Sequence, residues 1–311
     1  MSKSKTPDIS LRYMQRLNWY GTKPLVAKML TMPLVGPLLQ GGARLLLPDR
    51  LVHRLPVSVS YAHYRLANGA EVMLLNPLSD IVAKDIYWGK GEPVDKADRH
   101  VLRLLEILAK DADHFADIGA YSGLFALVAA CSNAALRAVT FEIVPENHET
   151  ILRNVEANGF GDRIEARLVG LSCEKGSLRM PDSTGMMSRP SAITLNTSFD
   201  TGIEVPLNTL DSQGFEGRLL MKLDVETFEW DVLRGGKQTV ERLSPEMICE
   251  ILPRFQHCEE LTFWLSTMGY RFFVATGDGF TERPIVVTEE KKRDWVFSQR
   301  DIGDLYQARS L

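Results

Sequence analysis

Cysteine is scarce. The chain has four in 311 residues, Cys131, Cys173, Cys249 and Cys258, with no CxxC pair and no metal-ligand spacing. That excludes a disulfide scaffold and leaves buried or incidental thiols in a reducing compartment, so a cytoplasmic location is expected. The six histidines have no clear partners, and the acids form no DxD-type cage, so no metal is expected. The first 24 residues lack an uninterrupted apolar core, which argues against a secretory signal peptide. The most apolar stretch, residues 25–47, is broken by Pro33, Gly36, Pro37, Gly41 and Gly42, and interrupted by Lys28 and Arg44. It does not span a bilayer as one helix. No internal repeat or low-complexity run is present.

Net charge is small, −4, but unevenly spread. Residues 1–54 carry nine Lys/Arg against Asp8 and Asp49, hence +7, which leaves −11 for the rest. An acidic body argues against nucleic acid as the main partner. The basic, apolar residues 1–54 read in two ways: short helices packed on the main domain or on a second subunit, or a collar at an anionic membrane surface. Residues 57–75 have the alternation of a β-hairpin around Asn68-Gly69. A helix is expected over residues 98–110. Hairpin and helix precede the main fold and are placed to roof a ligand, with Tyr87 and Trp88 packed in that roof.

The informative stretch is HFADIGAYSG, residues 114–123, followed by the apolar LFALVAA. It reads as a strand, a glycine turn and a helix, which puts free backbone N–H groups beside a ligand. Asp117 falls at the strand tip. A carboxylate there repels pyrophosphate and attracts an ammonium group, which points to S-adenosylmethionine rather than a dinucleotide. A second strand, residues 137–142, ends in Glu142, where an acid meets ribose hydroxyls. Capping helices is the plainer role for both acids. Further strands are expected at 164–171, 219–225 and 247–252, with helices at 146–158, 229–243 and 259–268. Closing strands fall at 270–275, 285–288 and 295–298, and a short strand at 205–210. The polar residues 173–204 read as a lid, a small insert or a loop. Such alternation implies a largely parallel sheet covered on both faces.

Ligands of such sheets bind at the carboxyl ends of strands. Asp117, Glu142, Ser172, Asp224, Glu226 and Glu250 all fall there, as an acidic rim. Asp224 and Glu226 are the candidate catalytic groups, able to take a proton from an alcohol acceptor. Lys222 shares a face with Asp224, as an ion pair or a functional group. Glu229 reads equally as a dipole-complementing acid in the first helical turn.

Five blocks in order, FADIGAYSG, TFEIVPENHETILRNVEANG, NTLD, KLDVETFEWDVLRGG and PEMICEI, resemble the FkbM family of methyltransferases over residues 114–252. The resemblance implies an α/β fold: a Rossmann-like class I methyltransferase sheet, mostly parallel, with an antiparallel C-terminal edge. An N-terminal helical and hairpin extension completes it. The domains expected are an extension over residues 1–54 and a methyltransferase domain over 55–311, comprising a hairpin cap, 55–99, and a catalytic core, 100–311. The resemblance implies S-adenosylmethionine as donor and a hydroxyl of a sugar, glycan or related metabolite as acceptor. It places Asp117, Gly119, Ala120, Tyr121 and Gly123 in the donor loop, Glu142 on the ribose, Ile143 against adenine and Ser172 after the third strand. Asp224 and Glu226 match the family's acidic pair. Thr227-Phe228 replaces the family's usual Gly-Ala step, a change expected to reshape the acceptor pocket. No acid follows the third strand to meet an adenine amino group. Two alternatives stand beside this reading. A nicotinamide-dependent oxidoreductase is disfavoured by GAYSG in place of GxGxxG. A non-catalytic donor-binding protein would be tethered through residues 1–54.

Overall fold

The computed structural model describes residues 59–180 and 202–310, together with Gly42, Leu55 and Val57. The expected extension over residues 1–54 lies outside the described residues apart from Gly42, and so do residues 181–201 of the expected polar segment.

The first strands among the described residues form an antiparallel hairpin, β1 (Tyr61–Arg65) and β2 (Glu71–Leu75). Ala62, Tyr64, Val72 and Leu74 alternate inward and are buried. The outer edge of β2 is paired not by a strand but by two helical amides. Leu75 N–H donates to Asn154 Oδ1 at 2.9 Å, and Met73 N–H to Asn158 Oδ1 at 2.8 Å. These bonds dock the hairpin on the later helix α4 (Pro145–Ala157) and its C-cap, and the hairpin also packs on α3 (Leu124–Ser132). The hairpin therefore does not roof the ligand site. Between it and the core run α1 (Ile81–Trp88), capped by Asp80, and α2 (Lys96–Ala109), capped by Asp95. The α1 helix was not foreseen. Its Trp88 donates its indole N–H to the Leu55 carbonyl at 3.1 Å and packs on Val57.

The main sheet has eight strands. Five are parallel: β3 (His114–Ile118), β4 (Arg137–Glu142), β5 (Ile164–Leu168), β9 (Leu219–Leu223) and β10 (Glu246–Glu250). In space they run β5-β4-β3-β9-β10, then β13 (Asp294–Ser298), β11 (Arg271–Thr276) and β12 (Gly279–Arg283), each antiparallel to its neighbour. The chain moves outward from β3 to β5, then returns to the other side of β3 as β9. That reversal opens a crevice above the tips of β3 and β9.

Each face of the sheet has its own core. On one face, Leu104, Leu105, Phe115, Leu127 and Leu220 pack with the hairpin and with α8 (Ile302–Ser310). On the other, Met221, Leu223, Cys249, Trp295 and Phe297 pack under α5 (Glu229–Gly235) and α7 (Cys258–Thr267). Alternation along β9 puts Leu220 and Lys222 on the first face, and Lys222 lies 5.2 Å from the Phe125 ring.

Three further expectations differ. The third strand, expected over 164–171, breaks after Leu168. Gly170 and Leu171 form β6, which joins a separate three-stranded sheet with β7 (Gly176–Met180) and β8 (Ile203–Asn208). The single helix expected over 229–243 is two, because Gly235 abuts the Ser172 carbonyl so closely that a Cβ would sit 2.0 Å from it. After that contact α6 (Lys237–Leu243) begins. Finally, residues 285–288 form no strand. Val286 N–H bonds Thr262 Oγ1 of α7 at 3.0 Å, and the final hairpin is made by β12 instead.

Candidate active site

A cleft of about 590 Å³ opens at the carboxyl ends of the parallel strands. Small-molecule sites commonly fall in this size range. On one side it is walled by Gly119, Tyr121, Phe141, Glu142 and Ile143, and on the other by Asp224, Glu226, Glu250 and Arg254. Val169 and Leu171, with Ile81 and Val82 of α1, complete its lining.

The first wall is built by a tight turn. Gly119 has φ +82, and a Cβ there would lie 1.9 Å from the Asp224 carbonyl oxygen. Only glycine lets the turn press against the tip of β9. Two bonds then tie three strand tips together: Gly119 N–H to the Phe141 carbonyl, and Asp224 N–H to the Ile118 carbonyl, both 2.9 Å. Tyr121 takes a left-handed φ of 51, and its N–H donates to Glu142 Oε2 at 2.8 Å. Glu142 Oε1 accepts from Ile143 and Val144 N–H, both at 2.9 Å. Burial pushes the Glu142 carboxyl up to about 7, and these three donors oppose the shift.

Asp117 does not reach the cleft wall. Its carboxylate is 1% exposed and turns under the loop, where Oδ2 accepts from Ala126 N–H in the first turn of α3 at 3.1 Å. Burial raises it to about 7, while the Lys222 charge pulls the other way. The expected ammonium contact is thus replaced by a helix cap. Two other members of the expected donor loop, and the residue expected after the third strand, also sit behind the wall. Ala120 is buried, Gly123 packs against Ile151, and Ser172 lies under Gly235 with its N–H on the Asn208 carbonyl. Val169, Gly170 and Leu171 take the wall position expected of Ser172. Gly119, Tyr121, Glu142, Ile143, Asp224 and Glu226 line the cleft together.

The second wall carries opposed charges. Asp224 Oδ2 lies 3.3 Å from the ammonium of buried Lys222. Burial works against the Lys222 cation, but Asp224, Asp294 and Glu250 together hold it above its ordinary value. Glu226 Oε2 lies 3.5 Å from Arg254 Nη2, and both Glu226 and Thr227 have positive φ, 55 and 88. Such strain in non-glycine residues gathers at functional sites. Buried Glu229 lies beneath. Its Oε1 accepts from Val225 and Thr227 N–H, each at 3.2 Å, and so holds the strained turn. The capping role of Glu229 is the one the structure displays. Glu250, a member of the acidic rim but not a candidate site residue by sequence, lines the cleft with Asp224. Its place as the last residue of a central parallel strand was the available signal. Among the described residues no cluster suited to a metal ion occurs, and no helix is long and apolar enough to cross a membrane.

Strand order, the reversal at β3 and β9, and an acid-walled cleft above it define a class I methyltransferase architecture. The Methyltransferase FkbM domain matches residues 117–272, half of the chain, and the chain belongs to that family. Among solved structures it is similar to methyltransferase FkbM from Methylobacillus flagellatus KT, at 15% identity and a TM-score of 0.42, over 60% of this chain and 44% of that one. The chain therefore spans less than half the length of that protein. Precorrin-6y C5,15-methyltransferase from Geobacter metallireducens GS-15 is 13% identical with a TM-score of 0.38, covering 65% and 89% of the two chains. The B. subtilis M1A22 tRNA methyltransferase TrmK is 14% identical with a TM-score of 0.37, covering 65% and 67%. Comparison with curated proteins finds no match.

Proposed function

We propose that this protein is an S-adenosylmethionine-dependent O-methyltransferase acting on a hydroxyl of a sugar, a glycan or a related metabolite. The division of the cleft carries the reading. One side offers apolar surface with a single carboxylate, and the other offers several carboxylates. The residues present fit the donor. Gly119 and Gly170 keep backbone where any Cβ would collide, Glu142 presents acceptors for a ribose diol, and Phe141, Ile143, Val169 and Leu171 receive a flat base. When bound, the donor supplies a methyl group already activated by its sulfonium. Asp224 and Glu226 hold the acceptor hydroxyl and take its proton. Ile81 and Val82 add apolar lining to the cleft. A nucleic acid acceptor suits this cleft poorly, because its phosphates would meet four carboxylates, Glu142, Asp224, Glu226 and Glu250.

Calorimetric titration with S-adenosylmethionine and with NAD tests the reading, with binding expected for the first alone. Glu142→Ala is expected to weaken donor binding roughly 10- to 100-fold, and Asp117→Asn to leave it within about threefold. Asp224→Asn is expected to spare donor affinity and lower turnover on hydroxylated acceptors by at least about 100-fold. Unchanged affinity in Glu142→Ala would remove the donor from this cleft. Tight donor binding without methylation of any neutral, acidic or lipid-linked sugar would favour a non-catalytic role.

A further inference from the structure

The cleft lining sets two guanidinium groups, Arg254 and Arg293, among four carboxylates, Glu142, Asp224, Glu226 and Glu250. Both arginines sit on backbone that is held in place. Arg254 is the third residue of the turn 252–255, closed by Phe255 N–H on the Leu252 carbonyl at 2.9 Å. Pro253 fixes φ at the second position of that turn. Phe255 is buried and meets the His257 ring edge-on, and His257 stacks in turn on Trp230. Arg293 immediately precedes β13, and its carbonyl accepts from Ile251 N–H at 2.7 Å. The two loops are therefore joined beside the tip of β10. Their side chains, by contrast, are open to solvent. That of Arg254 is 61% exposed, and its Nη2 lies 3.5 Å from Glu226 Oε2. This is longer than a charge-assisted hydrogen bond, and such an exposed pair is weak. Arg293 is exposed too. Its Nε donates to the Glu290 carbonyl at 3.2 Å, and among the described residues it forms no ion pair.

We propose that the acceptor carries an anionic group, a carboxylate or a phosphate, which Arg254 and Arg293 bind while the hydroxyl to be methylated faces Asp224. This rests on the reading of the cleft as a methyl-transfer site given above. Guanidinium forks match either anion through paired N–H···O bonds. The charge pattern also sets direction. Asp224, Glu226 and Glu250 repel an anion along the rest of the wall, so the charged end is admitted at the arginines and the uncharged hydroxyl goes inward. When the anion engages Arg254, the weak pair with Glu226 opens, and that carboxylate becomes available to the hydroxyl. A polyanion such as nucleic acid stays excluded, because two cations do not offset phosphates spread along the acidic rim.

Matched sugars separate this role from ordinary surface charge. The full chain, saturated with S-adenosylhomocysteine, the demethylated donor, is titrated calorimetrically with methyl glucoside, methyl glucuronide and a glucose phosphate. One charged probe is expected to bind at least about 10-fold tighter than the neutral one, and which of the two does so identifies the anion. Arg254→Gln and Arg293→Gln should each reduce that preference, and the double variant should abolish it, with donor affinity unchanged. Raising salt from about 0.1 M to about 1 M should erode the preference as well, since both groups are exposed. In methylation assays on the same sugars the advantage should appear in KM rather than kcat. Equal affinity for charged and neutral sugars, no binding of any of them, or a preference that survives in the double variant would overturn the inference. Methylation of the neutral glucoside at least as efficient as that of the charged sugars would overturn it and leave the methyl-transfer reading intact. A wild-type protein that fails to bind S-adenosylmethionine would instead overturn the functional reading, and this inference with it.

Discussion

The two walls of the cleft use acids in opposite ways. On the β3–β4 side, Asp117 and Glu142 are bonded to backbone N–H groups, one at the start of α3 and three around the turn. These bonds hold the loops in shape and leave Glu142, which lines the cleft, an acceptor site to spare. On the β9–β10 side, Asp224 and Glu226 meet side chains, an ammonium and a guanidinium, with Glu250 lining the same wall. Backbone donors are fixed by the fold, whereas side-chain partners can shift when a substrate arrives. The first wall is preorganised and the second is adjustable, which suits the proposed division into a donor side and an acceptor side.

Gly119 is where the two walls touch, so it is the place to break the comparison. Gly119→Ala puts a methyl group 1.9 Å from the Asp224 carbonyl at a φ of +82. The turn and the β9 tip cannot both stay in place. We expect a loss of about 3 kcal/mol or more in urea unfolding, near the upper end of single substitutions. Donor binding should fail with it. A variant of wild-type stability would mean that the walls are not in contact.

The next test sets two glutamates against each other. Glu142 and Glu229 each hold a turn, and burial pushes each up to about 7. Both oxygens of Glu142 are in use, but Glu229 Oε2 is buried with no hydrogen-bond partner. An amide at position 142 must point its NH2 at a backbone N–H, whereas at 229 it turns the NH2 to the unused side. A carboxyl raised on folding contributes stability that is complete below its unfolded value, 4.5, and lost as pH rises through about 7. Glu229→Gln removes that loss. Its advantage over wild type should therefore grow between pH 5 and pH 8, to about 1–2 kcal/mol. Glu142→Gln should be destabilising by about 1–3 kcal/mol, the cost of a buried donor facing a donor. Melting temperatures across that pH range check both, and equal signs would refute the distinction.

Much of the first wall was legible in the sequence. Residues 137–142 form β4 as expected, and the glycine turn leads into a helix where the apolar run begins. The direction of Asp117 was not legible. Spacing puts an acid at a strand tip, but the pleat decides whether it faces the cleft or the helix beneath, and here Ile118 faces the cleft instead. The second wall was legible as a set of acids and not as a network. The placing of Glu250 beside Asp224 on one wall depends on β9 and β10 lying side by side, and those strands are separated by 22 residues of loop and helix. The split of β5 from β6 and the break at Gly235 share that cause, since each is set by a neighbour remote in sequence, Leu207 and Ser172.

Thr227 sharpens the comparison at its smallest scale. In the sequence, Thr227-Phe228 in place of the family's usual Gly-Ala step reads as bulk pressing on the acceptor. Thr227 does not line the cleft, and its unusual feature is a φ of 88. For a β-branched residue that conformation is a true outlier, costing about 1–3 kcal/mol. What the family's glycine supplies at this point is therefore backbone freedom, and this chain does without it by clamping Thr227 N–H to Glu229. Thr227→Gly should relieve the strain and return about 0.5–1 kcal/mol of it as unfolded-state entropy. The net expectation is a gain of about 1 kcal/mol in urea unfolding, with donor affinity unchanged. A loss of stability instead would mean that the methyl and hydroxyl groups of Thr227 make contacts worth more than the strain, and the turn would then count as packed rather than clamped.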